Sequence, residues 1–588
     1  MGDVITMFGR KKKPYAPWEK YYTKEELNVK VPEISIYQLI EESAKKNANY
    51  VALEYMGKNI TYRQFLQLID RCARAFLQMG FGEGDIITIC MPNTPETLIS
   101  FYAINKIGAI ANMIHPLSSE EEIKNYLQET STTAFIMIDV CYEKVRNVIN
   151  DTSVKKTIVV SAKNSMPMLL GIGYMVTKGY KVKKPKRNDR YIYWNEFMLK
   201  GYLYRTPVVV KSNPRTPSVI LHSGGTSGNP KGILLSDYNF NALAEQVRTV
   251  FKGLIPGDSI LDILPNFHGF GLGVSMHFPL SAGLKLVLIP QFNAKKLDEL
   301  IVRYHPAVLT GVPTLYEAMM SNSGMKHVDL SCLKYIVSGG DSLSVAMFDR
   351  LNKFLKEHGA NVRVLQGYGM TESLAATAAS HDGCYREGSI GIPFPGNYFK
   401  MVYPGTQDEV AIGEDGEICV SGPTVMIGYL NNEKETNEVL QRHKDKNIWL
   451  HTGDIGCMDE NGILYFKQRL KRMIISSGYN VYPQHIESII EQHEAVLNCT
   501  VVGIPHPYKV EVAKAYIVLK DEYKAKWGVR KSIEEHCKKN LAKYSIPYEY
   551  EYREALPKTL LGKVNYRELE KENGKDWYNG KSGSSSRL

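Results

Sequence analysis

The chain has 588 residues, of which 44% are apolar and 23% charged, and it carries a formal net charge of +10. This composition excludes a disordered or fibrous protein, and the length exceeds what one hydrophobic core usually organises, so two or three domains are expected. The positive charge favours anionic partners such as nucleotides or a membrane surface, although it is spread over a long chain.

Nine cysteines lie far apart and form no CxxC pair. Their spacing predicts neither a disulfide framework nor a zinc site and is typical of a reducing cytoplasm. No apolar run approaches the roughly 20 residues that a membrane-spanning helix needs, and the first thirty residues lack a secretory signal. We therefore expect a cytoplasmic protein that is not integral to a membrane.

In chain order, the pattern from Thr61 to Gly108 predicts a helix, a short β-strand and a second helix. Similar β-branched runs recur at residues 133–138 and 285–289. Strands that alternate with helices indicate an α/β fold with a largely parallel sheet covered on both faces.

Residues 166–190 interrupt this alternation. An apolar stretch from Met166 to Val176 precedes a basic run from Lys178 to Arg187. Two interpretations stay open. The segment is either an interfacial insertion, with its apolar part in a membrane and its lysines on anionic headgroups, or a surface loop packed on its own domain.

A second change in pattern follows the basic residues near position 471, after which a new strand and helix pattern runs to about Tyr566. We predict a large N-terminal domain over residues 1–471 and a small C-terminal domain over 472–570. The tail, residues 571–588, is rich in Gly and Ser and is expected to be disordered.

A glycine-rich segment after the β-type run Val219–Leu221 predicts a phosphate-binding loop. Its glycines let backbone N–H groups approach phosphate oxygens, its hydroxyls donate further hydrogen bonds and its lysine supplies a positive charge. The candidate residues are Ser223, Gly224, Gly225, Thr226, Ser227, Gly228 and Lys231. Pro230 and Gly232 flank the lysine, which excludes a Walker A loop, whereas a plain glycine turn remains the structural alternative.

A second motif, Gln366–Ser373, follows the strand-like run Val362–Leu365. Its glycines permit a flat aromatic contact at Tyr368, while Thr371 and Glu372 offer a hydroxyl for a phosphate and a carboxylate for a magnesium ion. Alone, this segment is equally typical of a helix N-cap with an acidic first turn.

The two motifs together resemble the signature motifs of the adenylate-forming superfamily, which includes acyl-CoA synthetases, peptide-synthetase adenylation domains and firefly luciferases. Further matching segments occur in the family's order, and the resemblance extends from about Ile36 to Tyr566. They are Leu264–Gly271, Ser338–Asp341, Gly391–Pro393, Trp449–Asp454, the positions Arg469, Gly478, Asn480, Pro483 and Glu487, and Pro557–Lys563.

The resemblance implies a fold, a set of ligands and a role for each matching residue. The fold is α/β, with an α+β character in a small mobile C-terminal domain, and the ligands are ATP, Mg²⁺ and coenzyme A. The residues implied to bind ATP or coenzyme A are Ser223, Gly224, Gly225, Thr226, Ser227, Gly228, Lys231, Gly339, Gly340, Asp341, Gln366, Gly367, Tyr368, Gly369, Thr371, Asp454, Arg469 and Gly478. The implied metal ligands are Thr226 and Glu372, and the implied catalytic residues are Lys563, Thr371, Glu372 and His268.

Among these, Asp454 would accept both ribose hydroxyls, and Lys563 would contact the carboxylate and the α-phosphate as charge develops there. His268 either gates the acyl pocket or is a satisfied core residue. The pocket is also expected to draw on Gly311, Val312, Pro313 and Thr314. This sequence departs from the family pattern by having Arg472 at the hinge position, and His222 and Gly224 in the phosphate loop.

The implied reaction is ATP-dependent adenylation of a medium- or long-chain fatty acid, followed by transfer of the acyl group to coenzyme A. The alternatives are an acyl-AMP ligase that loads an acyl carrier protein, a luciferase-like oxygenase, and a catalytically inactive nucleotide-binding membrane scaffold; aromatic and bile acids remain open as substrates. Peripheral contact with a membrane is left open, and no nucleic-acid partner is expected.

Overall fold

The architecture comes from a computed structural model, which describes residues 13–186, 188, 190–208, 213–223, 231–380, 383–476, 479–506, 509–543, 545–559 and 563–574. The helices α1–α17 are Lys24–Leu27, Ile36–Lys46, Tyr62–Gln78, Pro95–Lys106, Glu120–Glu129, Tyr142–Val148, Met168–Thr177, Trp194–Lys200, Asp237–Val250, Phe278–Ser281, Leu297–Tyr304, Pro313–Met320, Val345–Glu357, Glu433–Val439, Pro483–Glu491, Val529–Asn540 and Tyr566–Glu572.

The strands β1–β27 are Val51–Tyr55, Lys58–Thr61, Ile86–Cys90, Ile110–Met113, Ala134–Ile138, Lys156–Val160, Tyr191–Tyr193, Pro217–Ser223, Lys231–Ser236, Ser259–Asp262, Lys285–Leu288, Val308–Gly311, Tyr335–Ser338, Val364–Tyr368, Ala378–Ala379, Ile392–Pro393, Tyr398–Val402, Gly416–Ser421, Gly428–Tyr429, Leu440–Arg442, Ile448–Met458, Leu464–Arg469, Ile474–Ser476, Tyr479–Val481, Val496–His506, Val510–Leu519 and Glu549–Tyr552. A π-helix spans Phe270–His277, and a short 3-10 turn spans Thr371–Ser373.

The helix predicted after Thr61 begins there because the Thr61 side chain accepts from the Gln64 N–H while the Gln64 side chain accepts from the Thr61 N–H. Its buried side chains recur at helical spacing and include Phe65, Ile69 and Phe76. The strand and second helix predicted up to Gly108 are β3 and α4, so this part of the sequence prediction is confirmed.

Two large sheets form the centre of the molecule. One has the order β16-β15-β14-β13-β12-β10-β11-β1-β2 and the other β19-β9-β8-β4-β3-β5-β6-β7. Their interiors are parallel. Both edges of the first sheet and the β19-β9-β8 edge of the second are antiparallel, whereas β7 at the other edge of the second sheet is parallel to β6. Helix α4 is buried along its whole length from Pro95 to Asn105, as expected for a helix covered on every side. The predicted α/β class is therefore confirmed.

A third, antiparallel sheet has the order β17-β18-β21-β20, with β22 paired to β21. The C-terminal part forms a fourth sheet, β24-β23-β26-β25 with β27 on β26, which packs with α15 and α16 around its own core containing Ile474, Ile486 and Ile533. The boundary at 471/472 and the mobility of this part stay predictions. Helix α17 ends at Glu572, and residues 575–588 of the predicted tail lie outside the described residues.

In the part of the chain that the structure describes, no helix is both long enough and apolar enough to cross a bilayer.

Candidate active site

A cavity of about 1760 Å³ lies between the large sheets, the third sheet and the C-terminal part. Most of the predicted ligand-binding residues that the structure describes line it, because they stand where strands end. The carboxyl ends of β13 and β14 lie side by side, with Ser338 paired to Gln366, so the Gly339–Asp341 and Gln366–Gly369 segments meet at one edge. This is the edge at which α/β sheets bind ligands.

Asp454 and Tyr368 are joined at the floor of this cavity. The Tyr368 hydroxyl donates to Asp454 Oδ2 at 2.8 Å, and both residues are buried. The pairing of β21 with β22 places Arg469 opposite Asp454, with its Nε 3.4 Å from Asp454 Oδ1. Burial raises the pKa of Asp454, against the lowering effect of Arg469 and of the Tyr368 hydrogen bond.

Asp454 Oδ1 is buried and accepts no hydrogen bond from any described residue. A buried carboxylate oxygen normally has a donor, so this atom fits a hydroxyl of a bound ligand. The turn before it is fixed by Thr452, whose Oγ1 accepts from the Asp454 N–H and donates to the Ile418 carbonyl.

The glycines at the strand ends are required by close contacts. A Cβ on Gly369 would lie 1.5 Å from the Ala375 carbonyl oxygen, and Gly340 has φ +78°. The neighbouring Leu374 and Ala375 also have positive φ, 47° and 71°, which is strained for residues with a side chain. The backbone is therefore drawn tightly around the Thr371–Ser373 turn.

Glu372 is buried in that turn and accepts a hydrogen bond from the Tyr429 hydroxyl at 3.1 Å. Burial raises the pKa of Glu372, while Tyr429, Arg469 and Lys231 act in the opposite direction. No cluster of three ligating side chains occurs within the described ranges. Mg²⁺ commonly takes one or two carboxylates and completes its shell with phosphates and water, and Glu372 fits that use.

Lys231 begins β9, directly opposite Ser223 at the end of β8. It forms an ion pair with Glu435 of α14, and its Nζ lies 4.9 Å from the centroid of the Tyr429 ring. Residues 224–230 lie outside the described residues, as does Gly478, so the placement of Gly224, Gly225, Thr226, Ser227, Gly228 and Gly478 is not described.

Lys563 reaches the cavity from the C-terminal part. A Cβ built on Gly340 would lie 3.9 Å from Lys563 Nζ. Burial lowers the pKa of Lys563, and Asp341 and Asp454 partly oppose this. The structure thus brings Lys563, Asp341 and Asp454 together although more than a hundred residues separate Lys563 from the other two.

His268 lines the cavity just before the π-helix. Burial, with smaller contributions from Lys563 and His115, lowers the pKa of His268 to about 4, so the ring is neutral near pH 7. Val312, Pro313 and Thr314 also line the cavity. Gly311 is not among the lining residues and packs against Leu315 and Tyr316, and its place in the acyl pocket stays a prediction.

Two of the three departures from the family pattern, Arg472 and His222, have defined hydrogen-bond partners. Arg472 donates to Glu487 Oε1 at 2.6 Å and to the Val501 carbonyl at 3.1 Å, which fixes it to the C-terminal part. His222 is buried with its Nε2 2.7 Å from Asn112 Oδ1, and burial lowers its pKa to about 3.

Sequence reasoning missed a buried chain of polar groups behind Asp454. Glu417 Oε1 accepts from the Gly453 N–H at 3.1 Å, and its Oε2 lies 3.0 Å from His451 Nδ1. His451 Nε2 lies 2.9 Å from His443 Nε2. The pairing of β18 with β21 brings Glu417 and His451 together. The one sequence signal for this polar chain is that His451 lies inside the Trp449–Asp454 motif.

Comparisons with known proteins agree with this geometry. The family model "AMP-binding enzyme" matches residues 40–430, and the model "AMP-binding enzyme C-terminal domain" matches residues 485–563. A long-chain-fatty-acid–CoA ligase of Bacillus subtilis is 32% identical over 92% of this chain and 95% of its own, and one of Salmonella typhimurium is 32% identical over 92% and 94%. A crystal structure of an anthranilate CoA ligase with anthranoyl-AMP superposes with a TM-score of 0.79 at 25% identity, covering 93% of this chain and 98% of that one.

The chain belongs to the AMP-binding enzyme family. The resemblance inferred from the motifs is thereby confirmed.

Proposed function

We propose that this protein is an ATP-dependent, AMP-forming acyl-CoA ligase that activates a medium- or long-chain fatty acid and transfers it to coenzyme A. The observation that carries the proposal is the convergence of Lys563, Asp341 and Asp454 on one cavity, in a chain that is 32% identical to long-chain-fatty-acid–CoA ligases over nearly its whole length. ATP and coenzyme A are the ligands of that class of enzyme.

The nucleotide would lie with its ribose on Asp454. Its Oδ1, which accepts no hydrogen bond from a described residue, and its Oδ2, which accepts from Tyr368, offer two acceptors for two neighbouring hydroxyls. The adenine would contact Gly339, Gly340 and Tyr368. The phosphates would take hydrogen bonds from the Ser223–Gly228 loop and Thr371, and positive charge from Lys231. Arg469 would face the ribose or the phosphate. Mg²⁺, held by Glu372 with Thr226, would neutralise phosphate charge.

In the first step a carboxylate oxygen of the acid attacks the α-phosphorus, and the bond from that phosphorus to the β-phosphate oxygen breaks. Pyrophosphate leaves, and the acid is now a mixed anhydride with AMP. Lys563 would stabilise the charge that develops on the α-phosphate, since a fixed cation in a partly buried site acts more strongly than one in water.

In the second step the sulfur of coenzyme A attacks the acyl carbonyl carbon and the carbonyl–oxygen bond to AMP breaks. The products are the acyl thioester and AMP, and the thiol proton passes to solvent. Lys563 must first withdraw with the C-terminal part, and the loop around Gly478 would then approach, leaving width for the pantetheine arm.

The acid is proposed to be a fatty acid because Val274, Val312 and Phe267 give the cavity wall apolar side chains, and because the curated relatives at 32% identity are long-chain-fatty-acid–CoA ligases. His268 is neutral near pH 7 and partly buried, which suits a residue that gates an apolar pocket without carrying charge into it. We propose a cytoplasmic enzyme with peripheral membrane contact, because long-chain acids partition into bilayers.

The test is pyrophosphate release from ATP and Mg²⁺ over a panel of short, medium, long, aromatic and sterol carboxylic acids, with and without coenzyme A. Release that requires a long-chain acid and speeds up with coenzyme A supports the proposal. Release that speeds up only with an acyl carrier protein would identify a carrier-loading ligase instead, and no release with any acid would identify an inactive scaffold. Oxygen uptake with a substrate acid would reveal a luciferase-like reaction.

A further inference from the structure

Helix α7, Met168–Thr177, has no buried residue although most of its residues are apolar. Met168, Leu169, Ile172 and Val176 are 79%, 82%, 56% and 71% exposed. At roughly 100° per residue these four side chains point into one half of the helix circumference. The face that a surface helix normally gives to charged residues is here apolar.

The exposure belongs to an anchored helix and not to a loose loop. On the N-terminal side, the Ser165 hydroxyl donates to Glu96 Oε1 at 2.6 Å. On the C-terminal side, Lys184 lies 3.5 Å from the buried carboxylate of Asp139, and the Tyr193 hydroxyl donates to the Pro185 carbonyl at 2.7 Å. The domain therefore holds the apolar face of α7 outward.

The segment that carries this face is rich in positive charge. No acidic residue occurs between Asp151 and Asp189. Lys163, Lys178, Lys181 and Lys186 are exposed on either side of α7, and Lys163 lies beside its first turns. Exposed apolar side chains bordered by exposed lysines match the interface of an anionic bilayer, where the acyl region meets negatively charged headgroups.

We propose that α7 and the lysines around it form a docking surface for an anionic lipid bilayer. With ten residues the helix is about 15 Å long, too short to cross a hydrocarbon layer of about 30 Å, so it lies parallel to the membrane plane. Its outer face enters the boundary between headgroups and acyl chains, and the lysines at its C-terminal end bind lipid phosphates.

The docking surface is connected to the wall of the cavity. Glu96, which holds Ser165, is in the first turn of α4, three residues after Asn93. The Asn93 side chain donates to the Leu264 carbonyl at 2.8 Å and accepts from the Asn266 N–H at 3.1 Å, and Leu264 lines the cavity. This connection fits an enzyme whose acid is dissolved in the bilayer. Docking itself does not depend on the proposed reaction and is measured without ATP or acid.

The test is co-sedimentation of the full chain with vesicles of phosphatidylcholine alone or with about a third phosphatidylglycerol. We expect binding to the anionic vesicles that weakens with added salt. The triple variant Met168→Ser, Ile172→Ser and Val176→Ser should bind at least about tenfold more weakly. Its matched control, Ile255→Ser, Val302→Ser and Ile412→Ser, removes three apolar side chains that are 59%, 55% and 49% exposed elsewhere and should bind like the wild type.

The role of the lysines is tested with the triple variant Lys178→Gln, Lys181→Gln and Lys186→Gln. Its matched control is the triple variant Lys24→Gln, Lys326→Gln and Lys539→Gln. The first set should lose most of the preference for anionic vesicles and the second should keep it. Wild-type protein that ignores anionic vesicles, or equal binding by the α7 variant and its control, would overturn the proposal. Concentration-dependent self-association without vesicles, lost only in the α7 variant, would instead assign the face to a second copy of the chain.

Discussion

Lys231 and Glu435 neutralise each other at the edge of the proposed nucleotide site. The lysine is 24% exposed and the carboxylate 33%, and the lysine lies over the ring of Tyr429, whose hydroxyl donates to Glu372. In the proposed function the triphosphate needs the charge of Lys231, so ATP and Glu435 compete for the same cation.

Glu435→Gln should therefore lower the KM for ATP about two- to fivefold, the range expected when a partly exposed ion pair no longer has to be broken. kcat should change little. The measurement is the ATP dependence of pyrophosphate release at saturating acid. Glu433→Gln, an exposed carboxylate in the same helical turn, is the control. An increase in KM would mean that Glu435 positions Lys231 for the phosphate instead of withholding it.

Lys563→Ala should abolish adenylation, with a loss of at least about a hundredfold in kcat, because it removes a charge that acts on the transition state. Thioester formation from a supplied acyl adenylate should be preserved. The two half-reactions are measured separately, with Lys571→Ala, an exposed lysine of α17 outside the cavity lining, as control. Equal loss of both half-reactions would contradict the role given to Lys563.

Tyr368→Phe deletes the hydroxyl that donates to Asp454 Oδ2. A hydrogen bond to a charged group contributes about 1.5–3 kcal/mol, and because a water can replace part of it we expect kcat/KM for ATP to fall about five- to thirtyfold. The KM for the acid should be unchanged. Tyr385→Phe, on a residue outside the cavity lining, controls for general destabilisation. If only the KM for the acid changed, the ribose assignment of Asp454 would be wrong.

The environment of Glu491 predicts that the contact between the N-terminal and C-terminal parts of the chain depends on pH. Glu491 belongs to α15, yet it lies near Ser344 and Arg350 of the N-terminal part, and its Oε1 accepts from the Cys499 N–H. Burial, reinforced by Glu487, raises its pKa to about 7 from the ordinary value of 4.5. The docked protein thus holds this proton more tightly than the undocked or unfolded protein does.

The contribution of protonated Glu491 to the free energy of unfolding is complete below pH 4.5 and is lost as the pH rises through about 7. Glu491→Gln should match the wild type at pH 4 and exceed it at pH 8 by up to about 3 kcal/mol, measured by thermal unfolding and by proteolysis near residue 471. Glu494→Gln, exposed in the following turn, should show no such difference. A gain that is equal at both pH values would mean that ionisation of Glu491 plays no part.

Local sequence patterns predicted the helices and strands around β3, and the order of the motifs predicted the family. Glycines at strand ends could be interpreted from sequence because close contacts leave few other residues possible, with the Phe270 ring at Gly339 and the Ala375 carbonyl at Gly369. Asp454 and Arg469 were assigned to one site from the motifs alone, and the register of β21 with β22 supplies the physical reason.

Contacts that depend on register between distant segments were not predictable. Glu435 and Lys231 are two hundred residues apart, and nothing local to either indicates a partner. The same holds for Glu417 and His451, which meet only because β18 pairs with β21. The π-helix at Phe270–His277 was also missed, since a run of apolar and glycine residues does not distinguish it from an α-helix.

The position of Lys563 above Gly340 has a consequence for how the enzyme would spend ATP. In the proposed reaction the ammonium group would fill the approach to the activated acid, and neither water nor a stray thiol would reach the mixed anhydride while it forms. The intermediate becomes open to attack only when the C-terminal part carries that lysine away and brings its own loop into place. One protein movement would thus close the first reaction and open the second, and each ATP consumed would be tied to one thioester made.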